Sequence, residues 1–242
     1  MLTRQARHTA ERLLKANAKP VRKLLLATGR TRAPKWPEIV QIESTNLCNA
    51  KCVFCPRDEM ERRQGVMAMD LYEKVVDECA TLGITHVRVH NYGEPFLDKK
   101  LVEKVRYAKA RGIAEVGMIS NGSLINEDIA RGMIEAGLDA INISVDAGGK
   151  EIFEKTRIHL KYDTVINNVK TLVRLRQELG KKRPRLILSF VRQDNSADEQ
   201  AFIDEWSQVA DKIHITELHN WAGTLNTKSD VKYPCYRPWL TF

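Results

Sequence analysis

The sequence predicts an α/β fold, an open partial (βα)6 barrel behind a basic amino-terminal helical arm. Three observations carry this expectation. From Trp36 onward, short runs rich in β-branched residues alternate with helical patterns, the signature of repeated β/α units on a parallel sheet. Most of the helical patterns close on a glycine, as helices that end in a left-handed residue do. The 242 residues, 43% hydrophobic and 29% charged, suffice for one large domain with a real core and exclude a disordered or fibrous chain.

Taken in order, the expected strands are Ile39–Glu43, His86–His90, Ala114–Ile119, Ala140–Val145, Arg185–Arg192 and Lys212–Glu217. The helices between them are expected at Asp70–Leu82, Lys99–Arg111, Asn126–Ala136, Tyr162–Leu179 and Ser196–Val209, several opening on Asp, Asn or Ser and ending before Gly83, Gly112, Gly137 and Gly180. Six such units are too few to close an eight-stranded barrel, so the sheet is expected to stay open. Chemistry in sheets of this kind gathers at the carboxyl ends of the strands. No internal repeat interrupts the pattern.

Three segments follow: a basic helical arm over 1–35, a core over 36–218, and a linker with the start of an extension over 219–242. The arm carries Arg4, Arg7, Arg12, Lys15, Lys19, Arg22, Lys23, Arg30, Arg32 and Lys35 against the single acid Glu11, and it holds much of the formal net charge of +8. Such a run reads as a solvated face, with contact to nucleic acid, anionic lipid or an acidic partner as the alternative. No apolar run approaches the roughly 20 residues that span a bilayer, and the first 35 residues lack a secretory pattern. A cytoplasmic location is expected.

Of five cysteines, Cys48, Cys52 and Cys55 crowd into one short stretch, while Cys79 and Cys235 stand apart. This suits metal ligation in a reducing compartment better than a disulfide framework. The CxxxCxxC stretch Cys48–Cys55 follows the first strand, where three thiolates can converge on a metal centre and leave one iron of a cubane open to an outside ligand. A structural zinc site would want a fourth protein ligand, and none follows at finger spacing.

With aromatic Phe54 before the last cysteine, Cys48, Cys52 and Cys55 resemble the CxxxCxΦC motif of the radical S-adenosylmethionine (SAM) superfamily. The resemblance implies a partial barrel of radical SAM type, a 4Fe-4S cluster on the three cysteines, and SAM bound through its methionine end to the open iron. It further implies reductive cleavage of SAM to a 5′-deoxyadenosyl radical that takes hydrogen from an organic substrate. A reducing protein such as flavodoxin or ferredoxin would deliver the electron.

After the second strand, Asn91-Tyr92-Gly93-Glu94-Pro95 looks like the family's GGEP motif with Tyr92 in place of the first glycine, so Gly93, Glu94 and Pro95 are implied SAM contacts. Ser120 and Asn121 end the third strand and Ser144 the fourth; the resemblance assigns them, with Arg157, to the ribose and carboxylate of SAM. The plain alternatives are a turn and cap for Ser120 and Asn121, and a surface ion pair for Arg157.

Tyr233-Pro234-Cys235-Tyr236-Arg237-Pro238-Trp239 resembles the entry to a SPASM extension, which implies Cys235 as a ligand of an auxiliary iron-sulfur cluster. Further cysteines are absent from this chain, so that cluster is expected only in a longer protein, with a free terminal cysteine as the alternative. SPASM relatives act on peptides, sulfatases or amino sugars, so the substrate is expected to be a peptide or a small metabolite. His219, Asn220 and Trp221 follow the sixth strand, where substrate would enter. Two rival readings stand beside this one. One is a zinc-stabilised nucleic-acid-binding module, betrayed by zinc content and salt-sensitive binding. The other is a radical SAM methyl or methylthio transferase, separable only by its product.

Overall fold

A computed structural model of the chain describes residues 36–192 and 196–218. The arm over 1–35, the tail from His219 and the expected ligand Cys235 lie outside the described residues. The compact unit that carries the sheet runs within residues 39–229.

Eight strands occur among the described residues: β1 (Ile39–Gln41), β2 (Lys51–Cys52), β3 (His86–Arg88), β4 (Glu115–Ser120), β5 (Ala140–Ser144), β6 (Arg157–Ile158), β7 (Arg185–Arg192) and β8 (Lys212–Glu217). Six form one sheet in the order β1-β3-β4-β5-β7-β8, every neighbouring pair parallel. The order follows the chain, so each crossover returns the same way and the sheet curls without reversing. The strands β1 and β8 do not pair with one another, and the barrel is open. A separate antiparallel pair, β2 with β6, stands beside the cysteine loop.

Six α-helices occur among the described residues: Met69–Thr81 (α1), Leu101–Ala110 (α2), Glu127–Glu135 (α3), Lys150–Thr156 (α4), Tyr162–Glu178 (α5) and Ser196–Trp206 (α6). Asn126 opens α3 by accepting from the Ile129 N–H at 2.8 Å, which satisfies one of the orphan donors of the first turn. Lys99 and Lys100, expected in α2, instead form a turn, because Asp98 caps the segment through the Lys100 N–H at 2.9 Å.

The two faces of the sheet differ in chemistry. Val87, Val116, Met118, Ile141, Ile143, Leu186, Leu188 and Phe190 alternate onto one face and are buried. They form one core with Tyr72 and Val76 of α1, Val105 of α2, Met133 of α3, Val169 and Leu172 of α5, and Phe202 and Trp206 of α6. Phe190 and Phe202 meet at 5.3 Å between ring centroids; each such side chain contributes about 1.5–3 kcal/mol when fully buried. The strand register sets Gln41, Arg88 and Gly117 in one row, and Ile119, Asn142 and Ile187 in the next, on the opposite face. No helix among the described residues covers that face, and Ile119 is 37% exposed.

The first two strands of the sheet, β1 and β3, are shorter than the sequence suggests. Pairing of β1 ends at Gln41 and that of β3 at Arg88, after which Ile42 and Val89 make only single bonds, to the Arg88 carbonyl at 2.7 Å and the Gly117 carbonyl at 3.0 Å. The chain thereby releases the residues beyond each strand to turn over the carboxyl edge.

Candidate functional site

The cysteine loop is closed at its base by short side chains. Thr45 donates to the Gly65 carbonyl at 2.8 Å, while Asn46 accepts from the Gly65 N–H at 2.7 Å and donates to the Arg63 carbonyl at 3.1 Å. Glu43 pairs with Arg62 and accepts from the Tyr92 N–H at 3.1 Å, so the same carboxylate joins the return of this loop to the loop after β3. Within the loop, the Cys55 N–H bonds the Cys52 carbonyl at 3.1 Å and the Cys48 sulfur accepts from the Ala50 N–H at 3.4 Å.

All three thiols are half-buried and free of disulfides. Burial pushes each above its usual value; each also feels the charge of another member of the trio, Cys52 on Cys48, Cys55 on Cys52 and Cys48 on Cys55. The Arg57 guanidinium pulls all three down, and Arg157 pulls Cys52. This is the donor set a cluster needs: three sulfurs on one loop, within one another's field, with N–H donors aimed at them. No set of three or more His, Cys, Asp or Glu among the described residues is drawn together tightly enough for a single metal ion.

Gly93 takes a left-handed φ of 83° and packs under the cysteine loop: a Cβ there would lie 2.6 Å from the Leu47 carbonyl oxygen and 2.7 Å from that of Thr45. Only glycine fits, on both counts. The approach lets the Glu94 N–H bond the Leu47 carbonyl at 2.7 Å, and Pro95 opens a 3-10 turn over Pro95–Leu97.

Glu94 then turns its carboxyl inward. It accepts from Ser120 Oγ at 2.8 Å, the Asn121 N–H at 2.7 Å and the Phe96 N–H at 3.2 Å, all neutral donors, and is 1% exposed. Burial pushes its pKa up to about 7, with the hydrogen bonds and the charge of Arg157 opposing the rise. Asn121 in turn donates to Asn49 Oδ1 at 2.9 Å, Asn49 donates to Ser123 Oγ at 2.9 Å, and Ser123 donates back to Asn121 Oδ1 at 2.7 Å. Asn49, inside the cysteine motif, thus ties that loop to the end of β4.

Behind these loops a buried ion pair fixes their spacing. Lys104 Nζ lies 2.6 Å from Asp98 Oδ2 and 2.7 Å from the Met67 carbonyl, with no exposed side-chain surface on Lys104. It ties the segment after Glu94–Pro95 to the strand of chain returning from the cysteines.

Arg157 faces Cys52 across the β2–β6 pair. Its guanidinium carbon stands 5.7 Å from the Phe54 ring centroid, one terminal nitrogen is 3.6 Å from Cys52 Sγ, and the other pairs with Asp146. The structure therefore brings together Cys48, Cys52, Cys55, Phe54, Gly93, Glu94, Pro95, Ser120, Asn121 and Arg157 over the carboxyl edge of β1, β3 and β4. Ser144 stands further along that edge, where Ser189 donates to it at 3.4 Å. Arg157 is no surface ion pair: it is 5% exposed.

Sequence reasoning missed Asn49, Asp146 and the Asp98–Lys104 pair. Asp146 closes the Ser144-Val145-Asp146 strand end and adopts φ 57°, a left-handed conformation that Asp tolerates and that a strand-end Asp could have signalled. The other two are tertiary partnerships with no local pattern.

The radical SAM superfamily profile matches residues 42–180, which include every one of these residues. The chain is 32% identical over 184 residues to a "Probable GTP 3′,8-cyclase" of Saccharolobus islandicus, covering 75% of this chain and 57% of that protein. It is 32% identical over 135 residues to the protein of the same name from Methanopyrus kandleri, covering 55% and 43%. The chain spans about half the length of these curated relatives. Streptococcus suis SuiB bound to S-adenosylmethionine shares the fold at a TM-score of 0.69 and 15% identity, over 88% of this chain and 48% of that one. With its motifs on the carboxyl edge of an open parallel sheet and the family profile across more than half its length, the chain belongs to the radical SAM superfamily, an enzyme family that uses a 4Fe-4S cluster and SAM.

Proposed function

We propose that Cys48, Cys52 and Cys55 hold a 4Fe-4S cluster at which SAM binds and is cleaved, and that the chain forms the core of an enzyme acting on an organic substrate by hydrogen abstraction. When bound, the cluster supplies the electron that splits SAM into methionine and a 5′-deoxyadenosyl radical. The observation that carries the reading is Glu94, a buried carboxyl joined to the cysteine loop through Asn121 and Asn49 and satisfied only by neutral donors. A buried acid in that state gains most from a cationic ligand, and the α-ammonium of SAM is one. Ser120 and Asn121 fix the acid's orientation, Gly93 and Pro95 set the approach of its loop, and Phe54 and Arg157 wall the opposite side. Ser144, further along the edge, would meet the ribose.

The face of the sheet that no described helix covers is the natural seat for substrate. The name carried by the curated relatives points to a nucleoside triphosphate as the first substrate class. A peptide remains the second class, from the shared fold with SuiB, one structure of which is described as bound to its precursor peptide SuiA. Flavodoxin or ferredoxin fits as the reductant. No helix among the described residues is long and apolar enough to cross a membrane. Cys235 as an auxiliary-cluster ligand stays a proposal for a longer protein.

The test is anaerobic reconstitution of the full chain with iron and sulfide, followed by dithionite and SAM, with chromatography for 5′-deoxyadenosine. Wild type should yield the product and Cys52→Ala should yield none. Equal product from both, or a purified chain that takes up zinc and no iron, sinks the reading. With activity in hand, GTP and a peptide pool compete as substrates, and consumption of neither removes both substrate classes.

A further inference from the structure

Arg157 is held in place by more than its own side chain. The antiparallel register sets Cys52 directly opposite Arg157 and Lys51 opposite Ile158, and the Val53 N–H bonds the Thr156 carbonyl at 3.0 Å. Helix α4 ends at Thr156, so the arginine emerges from a fixed point. On the far side, Asp146 binds one terminal nitrogen, and its other oxygen accepts from the Val191 N–H at 2.9 Å. The carboxylate is 1% exposed and the arginine 5%. Both ends of the guanidinium are therefore engaged, one by Asp146 and one by the sulfur of Cys52 at 3.6 Å, while Nε is buried with no partner among the described residues.

The three sulfurs are not treated alike. Cys48 accepts from the backbone N–H of Ala50 at 3.4 Å, whereas Cys52 accepts from a charged side chain. Backbone donors cannot be changed by substitution without moving the loop; a side-chain donor can. Both terminal nitrogens already donate, one to Asp146 and one to the Cys52 sulfur, which holds the guanidinium against the cysteine loop.

We propose that Arg157 is a positioning residue that sets the reduction potential of the cluster by donating an N–H to the Cys52 sulfur, with Asp146 holding it to that task. Reduction adds one electron, and no bond forms or breaks in the protein. Negative charge grows on the ligating sulfurs, and a donor aimed at one of them stabilises the reduced form more than the oxidised form. The guanidinium lies nearer the sulfur than the carboxylate behind it does, so the positive end of the pair dominates there. Removing the donor should make the cluster harder to reduce.

The inference rests on the cluster reading and fails separately from it: a chain that takes up no iron and sulfide fails that reading first. The experiment is EPR-monitored redox titration of the reconstituted full chain without SAM, comparing wild type, Arg157→Gln, Arg157→Lys and Asp146→Asn. At the wild-type midpoint, Arg157→Gln should lower the ratio of reduced to oxidised cluster at least tenfold, which is 59 mV for one electron. Arg157→Lys, which keeps the charge but cannot reach both partners, should fall between the two. Asp146→Asn should move the ratio the other way, since the cation loses its counter-charge. Should Arg157→Gln fail to take up the cluster, the lysine and asparagine variants decide the matter by their opposite signs. Unchanged midpoints in variants with a full complement of iron and sulfide overturn the proposal. A residue serving only to bind SAM would weaken SAM binding and leave these SAM-free potentials where they were.

Discussion

Two buried carboxylates sit at opposite ends of the same sheet, and their partners differ. Asp139, before β5 at the amino edge, is 3% exposed and is met by Lys109 at 2.7 Å, by Arg183, and by the Val116 N–H at 2.8 Å. Glu94, at the carboxyl edge, is 1% exposed and is met by a hydroxyl and two backbone N–H groups. One site is complete within the protein. The other has hydrogen bonds but, among the described residues, no cation in contact, which is the state of a group that receives its counter-charge from outside. A buried charge matched by the protein builds architecture; one left unmatched at the carboxyl edge marks where a ligand enters.

The largest effect should come from breaking the complete site. Asp139→Ala strands the Val116 N–H inside the sheet and frees two cations, and should cost about 3 kcal/mol in urea unfolding. SAM affinity of the surviving folded, reconstituted protein should stay within twofold of wild type. A stability loss under about 1 kcal/mol, or a parallel loss of SAM binding, would erase the division between the two ends.

The incomplete site should show itself in pH dependence. The Glu94 pKa rises from 4.5 to about 7 on folding, so below pH 4.5 both states are protonated and the group contributes nothing. Between pH 4.5 and 7 the folded state keeps a proton the unfolded state has lost, and stability falls as pH rises; above 7 the full penalty, about 3 kcal/mol, is in place. His90 works in the opposite sense: burial holds its pKa down to about 3 from 6.5, so its contribution is lost as pH falls through that interval. The two overlap, and only a difference isolates the acid. In cluster-free protein, Glu94→Gln should gain stability relative to wild type as pH is raised from 4.5 to 8, measured by urea midpoints. A difference flat with pH would mean the carboxyl is already matched.

The same substitution should weaken SAM. Glu94→Gln keeps the size and removes the charge, and SAM binding to the reconstituted protein should fall about tenfold by anaerobic calorimetry, near 1.4 kcal/mol. An unchanged affinity would leave the acid as architecture and end the contrast with Asp139.

How far the site could be read in advance follows the same division. The bounds of β7 and β8 coincide with their alternating and β-branched patterns, because long strands carry enough periodicity to be seen. The cysteines, Gly93 and Glu94 were legible because spacing within a loop survives in the sequence. What was hidden is short or tertiary. The strands β2 and β6 have two residues each, and α4 has seven with no capping side chain, so none carries a period. Asn49 bonds across 72 residues to Asn121, and Lys104 finds Asp98 and the Met67 carbonyl inside the core; a lysine in a helix gives no hint that it is fully buried.

The smallest effect tests whether the complete site is over-determined. Arg183 is the more exposed of the two cations on Asp139, with 54% of its side chain accessible against 26% for Lys109. Its attraction to Asp139 is screened by water and salt, and Lys109 with the Val116 N–H still satisfies the carboxylate when Arg183 is gone. Arg183→Met should therefore cost no more than about 0.5 kcal/mol in urea unfolding, and that difference should shrink further in high salt. A loss approaching that of Asp139→Ala would mean that Lys109 alone cannot neutralise the acid, and that the amino edge stands closer to the unmatched state of Glu94 than the hydrogen bonds imply.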